Sequence, residues 1–165
     1  PVVTVLPSDG AEPAAPVPSS SVVPAPSASP SAPAVAAGEP VDCGGAPVVL
    51  DAGSPSLTLA GSCPDVQVNG SGLQVDVSAA DVGSLTLSGE GIVVEAAAVG
   101  ALTLRGNDIR VTAGSVSSLN LEGDGNSITA ASGIGSVSVR GNGNTVSGGG
   151  TVVQTTDEGD RNEIG

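Results

Sequence analysis

From residue 63 onward the chain alternates small apolar and polar residues in short bursts, and the bursts recur. ADVGSLTLSGEGIVVEA at residues 80–96 lies over AAVGALTLRGNDIRVTA at 97–113, GSVSSLNLEGDGNSITA at 114–130 and ASGIGSVSVRGNGNTVSGG at 131–149. An earlier copy, CPDVQVNGSGLQVDVSA, starts at Cys63; a degenerate copy runs from Ala46 to Gly61, and a partial one closes the chain in EGDRNEI. Stacked in this way, like residues fall into columns. Cys63, Val82, Val99, Val116 and Ile134 share one position, Val66, Leu85, Leu102, Leu119 and Val137 a second, and Val68, Leu87, Leu104, Leu121 and Val139 a third. After a glycine at 70, 89, 106, 123 or 141 come Leu73, Ile92, Ile109, Asn126 and Asn144, then Val75, Val94, Val111, Ile128 and Val146. Polar residues stand between the apolar ones: Gln67, Thr86, Thr103, Asn120 and Ser138 on the first burst, and Asp76, Glu95, Thr112 and Thr129 on the second.

Strict alternation is the signature of a strand with one buried face. Each unit of 17–19 residues therefore predicts two short strands, a tight turn of the GEG, GND, GDG or GNG type, and a looser Gly/Ala/Ser corner. Glycine suits such turns because they require positive φ or close backbone approach. Two architectures satisfy the pattern. In a single-stranded β-solenoid each unit is one coil, and counterparts stack along the axis at about 4.8 Å per coil. In a hairpin-based barrel or sandwich the two strands of a unit pair antiparallel. Columns of identical residues follow naturally from the solenoid, so the expected fold is an all-β solenoid (β-helix) over residues 43–165.

Composition sharpens this choice. The chain has no Phe, Tyr, Trp, Met, Lys or His. Its interior must be filled by Val, Leu, Ile and Ala, which suits a narrow lumen better than a thick sandwich core. Ten of the 13 prolines lie in residues 1–42. Each removes a backbone donor and keeps its predecessor extended, so this arm is predicted to be polyproline-like or coil. A spacer is one reading of the arm, and a segment laid along a partner protein is the other, with Val2, Val3, Val5 and Leu6 as an apolar tip.

Cys43 and Cys63 are the only cysteines. Their number and the lack of His favour one disulfide over a pair of inert buried thiols and over a metal site, which needs about four ligands. A disulfide at that place fastens the N-terminal end of the stack and implies an oxidising compartment. The chain has no apolar run long enough to span a membrane as a helix. It opens at Pro1 without Met, the start expected of a processed chain, with a signal peptide or a lipidated residue upstream as the alternatives. Seventeen acidic residues against four arginines give a net charge of -13, which argues against nucleic acid and anionic lipid as partners.

Asn126, Asn144 and, in the partial last unit, Asn162 occupy a column that is Leu or Ile in earlier units. An inward corner Asn can bond backbone groups and the Asn of the neighbouring coil, which makes a structural ladder. The competing reading is an ion site that adds Asp124 and Asp160; the chain lacks the tight glycine-aspartate nonapeptide pattern of calcium-binding repeats. Without His or Lys there is no Ser-His-Asp, Cys-His or Ser-Lys arrangement. Asp76, Glu90, Glu95, Glu122 and Asp124 are scattered carboxylates with no aromatic platform for a sugar. Thr86 and Thr103 begin a flat Thr column of the ice-binding kind, which Asn120 and Ser138 interrupt. The glycine turns lie between strands, with no helix to receive a phosphate. No catalytic residue, cofactor or metal ligand is expected.

GDGNSI and GNGNTV, preceded by SLNL and SVSV, together with CGG at residue 43 and GSC at 61–63, resemble the DUF3060 family of secreted or lipid-anchored proteins, mostly mycobacterial and related actinobacterial. The resemblance covers residues 43–164, and the units at 70–75, 89–94 and 106–111 depart from it by carrying Leu or Ile in place of Asn. It implies the cell envelope, outside the cytoplasm, and brings no activity with it. The function expected is a non-catalytic structural or protein-interaction module of the envelope, an accessory subunit of a membrane-associated complex whose partner is contacted through residues 1–42. A free-standing surface spacer, an adhesin-like protein or an ion-binding repeat protein is the alternative.

Overall fold

The structure, a computed structural model, describes residues 39–52 and 56–165. All strands belong to one sheet, and every strand pairing in it is parallel. β1 (Val41–Asp42) and β2 (Val48–Asp51) form the first rung on β3 (Ser56–Ser71), which is followed in the stack by β4 (Gln74–Glu90), β5 (Val93–Asn107) and β6 (Arg110–Glu122). Below β6 the coil divides: β7 (Ser127–Ala130) leads to β9 (Thr145–Gly148) and β11 (Glu163–Ile164), and β8 (Ile134–Arg140) leads to β10 (Gln154–Glu158). This is a parallel β-solenoid, and the hairpin alternative is excluded because no antiparallel pair exists among the described residues.

The register reproduces the columns residue by residue. Val48, Val66, Leu85, Leu102, Leu119, Val137 and Thr155 follow one another through seven successive turns. Leu57, Val75, Val94, Val111, Ile128, Val146 and Ile164 do the same on the returning side. Leu85, Leu102, Leu104, Ile109, Val111 and Ile128 are all essentially inaccessible to solvent. Burying a Val or Leu side chain contributes roughly 1.5–3 kcal/mol, and each lies directly above a counterpart of similar volume, so the lumen fills without aromatic side chains.

Two features depart from the sequence expectation. Strands run through the looser corner instead of stopping at it, so β3, β4, β5 and β6 each join the second burst of one unit to the first burst of the next. Small residues there let the backbone bend and stay paired, and the one- and two-residue differences in coil length are absorbed as register shifts after Thr58 and after Val77. The stack also begins at Val41, inside the span read as arm: Val41 pairs with Leu59 and Asp42 with Ala60. The rest of the arm, residues 1–38, lies outside the described residues.

The tight turn is where glycine is obligatory. Gly89 and Gly106 have φ of +141° and +146°, and a Cβ on either would stand 1.7 Å from the carbonyl oxygen of the glycine one coil earlier. Backbone atoms cannot yield by that amount, so neither Gly89 nor Gly106 can be replaced by a residue with a side chain.

Candidate functional site

The inward polar side chains of the solenoid stand at the corner after the glycine column. Asn126 and Asn144 are 1% and 0% exposed among buried aliphatics, which demands that every polar atom find a partner. They do so by repeating one motif. The Asn144 Oδ1 accepts from the Asn126 backbone N–H at 2.9 Å and from Asn126 Nδ2 at 3.1 Å. Asn144 Nδ2 donates to the Gly123 carbonyl at 2.9 Å and to Asn162 Oδ1 at 3.1 Å. Asn126 donates likewise to the Gly106 carbonyl at 3.0 Å, and its Oδ1 accepts from the Ile109 N–H at 2.9 Å. At the other end Asn144 N–H donates to Asn162 Oδ1 at 3.0 Å, and Asn162 Nδ2 reaches the Gly141 carbonyl at 2.9 Å and Asp157 Oδ1 at 2.6 Å. The three asparagines therefore form one continuous ladder that ties the turn glycines to the lumen.

Asp124 and Asp160 are not brought together as a chelate. Asn142 stands between them: its N–H and Nδ2 donate to Asp124 Oδ1 at 2.6 Å and 3.1 Å, while Asp160 N–H donates to Asn142 Oδ1 at 3.0 Å. Asn107 Oδ1 accepts from the Asp124 N–H at 2.9 Å, so these residues build a second, solvent-exposed ladder on the outside of the same turn. Among the described residues no group of three or more acidic, Cys or His side chains is placed to share a metal ion.

A third ladder escaped the sequence reading. Arg105, Glu122, Arg140 and Glu158 share one outward column. Arg105 Nε meets Glu122 Oε2 at 3.1 Å, Arg140 Nη1 lies 3.8 Å from Glu122 Oε1, and Arg140 Nε meets Glu158 Oε2 at 2.6 Å. The Arg140 guanidinium is held charged, its pKa raised first by the hydrogen bond to Glu158 and by the charge of that carboxylate. Alternation is what makes the column tolerable, since like charges one rung apart would repel. Its signal was present in the sequence, as a charged residue immediately before the turn glycine in four consecutive units, alternating in sign.

The other candidates remain apart from one another or engaged locally. Asp76 and Glu95 are register neighbours on an outer face, lining a shallow groove with Thr58 and Val93. Asp76 Oδ1 is engaged by Ser78, through Oγ at 2.6 Å and N–H at 2.9 Å, and the two bonds lower the pKa of its carboxyl. Thr86 and Thr103 stack with Gln67, Asn120 and Ser138 in one outward column, as the alternation predicts. Glu90 lies 3.5 Å from Asn107 Nδ2 and serves the outer turn ladder.

At the N-terminal end Cys43 and Cys63 are joined as a disulfide, with Cα atoms 5.2 Å apart. Cys63 occupies the inward column of Val82, and Cys43 is buried above it. Backbone bonds from Cys43 to the Ala60 carbonyl and from Gly45 to the Ser62 carbonyl hold the same rung. The polar side chains of these three ladders thus join coil to coil. Comparison with family models, with curated proteins and with solved structures finds no match to this chain.

Proposed function

We propose that this protein is a non-catalytic structural or protein-interaction module of the cell envelope, acting as an accessory subunit of a membrane-associated complex. The observation that carries the reading is the use made of particular polar side chains: Asn126, Asn144 and Asn162 complete a ladder along the axis, and Arg105, Glu122, Arg140 and Glu158 pair between rungs. A solenoid of this kind presents long, regular surfaces and strand edges of fixed register, which suit recognition of an extended partner more than turnover of a small substrate. The Cys43–Cys63 disulfide supports a compartment outside the reducing cytoplasm, and the resemblance of the GDGNSI and GNGNTV units to DUF3060 points to the same place. Residues 1–40, rich in proline, are the segment proposed to lie along the partner, Val41 and Asp42 being already paired in the first rung.

Fractionation of the source cells tests the assignment. Recovery in the envelope fraction with Cys43 and Cys63 oxidised is the expected result, together with protection of residues 1–40 from protease in isolated membranes and loss of that protection in the purified chain. Recovery in the cytoplasm with two free thiols overturns it.

A further inference from the structure

Every asparagine of this chain lies in the solenoid, and most of their carboxamides are already committed. Those of Asn126, Asn144 and Asn162 are held by the inner ladder, and those of Asn107 and Asn142 by the outer one. Asn69 and Asn120 stand outside both ladders, exposed on outward columns. Only Asn69 has a hydroxyl two residues on, in the triplet Asn69-Gly70-Ser71. We infer that Asn69 is the attachment site of an N-linked glycan. The inference rests on the extracytoplasmic part of the proposed function, because an Asn-x-Ser triplet is an acceptor only in a secreted chain.

A triplet of this kind is usable where its amide and its hydroxyl can both be reached. Asn69 and Ser71 are both exposed, at the end of β3 where it runs into the tight turn. Between them Gly70 has φ of +147°, and a Cβ there would stand 3.0 Å from the Ala52 Cβ, so the middle position carries no side chain to screen the two groups. Along the axis Asn69 is flanked by Asp51 and Ser88, short side chains that leave room for a sugar. The same column is crowded from Arg105 onward by its ion pairs.

Val49 gives the first sugar a surface to rest on. It is 46% exposed, in an outward column whose other members include Gln67, Thr86, Thr103 and Asn120. It pairs with Gln67 and is therefore diagonal to Asn69, one rung away and two residues along. The C–H face of a pyranose held at Asn69 covers this valine and takes its apolar surface out of water. In the transfer itself Asn69 Nδ2 forms a bond to the anomeric carbon of a glycan carried on a polyprenyl pyrophosphate. The bond from that carbon to the phosphate oxygen breaks, the polyprenyl pyrophosphate leaves with the electron pair, and the amide proton passes to solvent.

Peptide mass analysis of the whole chain purified from its source cells tests the assignment. The peptide containing Asn69 is expected to carry additional hexose and hexosamine mass, which peptide-N-glycosidase removes while converting the modified asparagine to aspartate. Asn69→Gln and Ser71→Ala, produced in the same cells, should each lose the added mass, whereas Ser71→Thr should keep it. Because residues 69 and 71 are exposed, all three variants should retain the oxidised Cys43–Cys63 pair, so loss of the glycan is read on a folded chain. Unmodified Asn69 in envelope-derived chain with its cysteines oxidised overturns this inference and leaves the compartment reading standing. Unmodified Asn69 in a chain with two free thiols overturns both. A glycan that survives in Asn69→Gln or Ser71→Ala overturns the assignment to this triplet.

Discussion

The first and last coils of this solenoid solve the same problem with different chemistry. Up to Ile109 the corner after the turn glycine is filled by Leu73, Ile92 and Ile109, and the end of the stack is closed by the Cys43–Cys63 bond. From residue 126 the same corner is filled by Asn126, Asn144 and Asn162, and the last rung turns polar at Thr155 and Asp157. The aliphatic corner gains from burial alone and leaves adjacent coils joined there by backbone. The asparagine corner gives up part of that burial and adds side-chain bonds between coils and to the glycine carbonyls. A corner of this shape therefore accepts either a methyl-rich or an amide side chain, provided the amide has its ladder neighbours.

The largest expected effect comes from breaking the ladder in its middle. Asn144→Leu keeps the volume but leaves the Gly123 carbonyl, the Asn126 N–H and one Asn126 amide hydrogen without partners. Buried groups stranded in this way cost about 1–3 kcal/mol each. After the apolar gain of the leucine, a net loss of about 3 kcal/mol should appear in urea unfolding; an unchanged midpoint would show that the ladder contributes nothing beyond filling space. A comparable effect, placed at the opposite end, is expected from reduction of the disulfide. Its loop of 20 residues corresponds to about 3 kcal/mol in the chain-entropy account. Hydrogen exchange should then rise first at the Cys43 and Gly45 amides while Asn126 and Asn144 stay protected, and uniform loss of protection would contradict a local cap.

Ile109→Asn sharpens the comparison at its boundary. Burying an amide in place of a core aliphatic ordinarily costs several kcal/mol. Here the new Nδ2 would meet the Gly89 carbonyl and Asn126 Oδ1 by the geometry already present at Asn126, so the change should stay within about 1 kcal/mol. Leu102→Asn, one coil face away and without ladder neighbours, should be far more damaging, and equal losses at the two sites would refute the ladder argument. The smallest effect is acid sensitivity at Asp76. Its folded pKa is lowered below the ordinary 3.8 by Ser78. The stabilisation is complete above that ordinary value and is lost as pH falls through the folded one. Because the group is exposed, the difference between wild type and Ser78→Ala should be a small one, visible in thermal melts only below about pH 4.

Much of this was readable in advance for a simple reason. In a parallel stack each residue sits above its own counterpart, so Leu85, Leu102 and Leu119 can be aligned in sequence with no knowledge of long-range pairing. The same logic exposed Asn126, Asn144 and Asn162 as one column. The continuity of strands through the corner was hidden, because a run of Gly, Ala and Ser reads as loop when nothing shows that the next coil pairs with it. The charge column Arg105, Glu122, Arg140, Glu158 was overlooked because scattered surface charges acquire meaning only once coil spacing puts them one rung apart.

The amino-acid order by itself determined the period, the inward and outward faces, the glycine turns and the absence of large side chains from the lumen, since these follow from alternation and from neighbours along the chain. Only the tertiary structure decided that Val41 and Asp42 already pair with Leu59 and Ala60, that Cys43 lies over Cys63 within bonding reach, and that Arg105, Glu122, Arg140 and Glu158 meet from coil to coil. These depend on what lies above or below a coil, a direction that sequence distance does not measure.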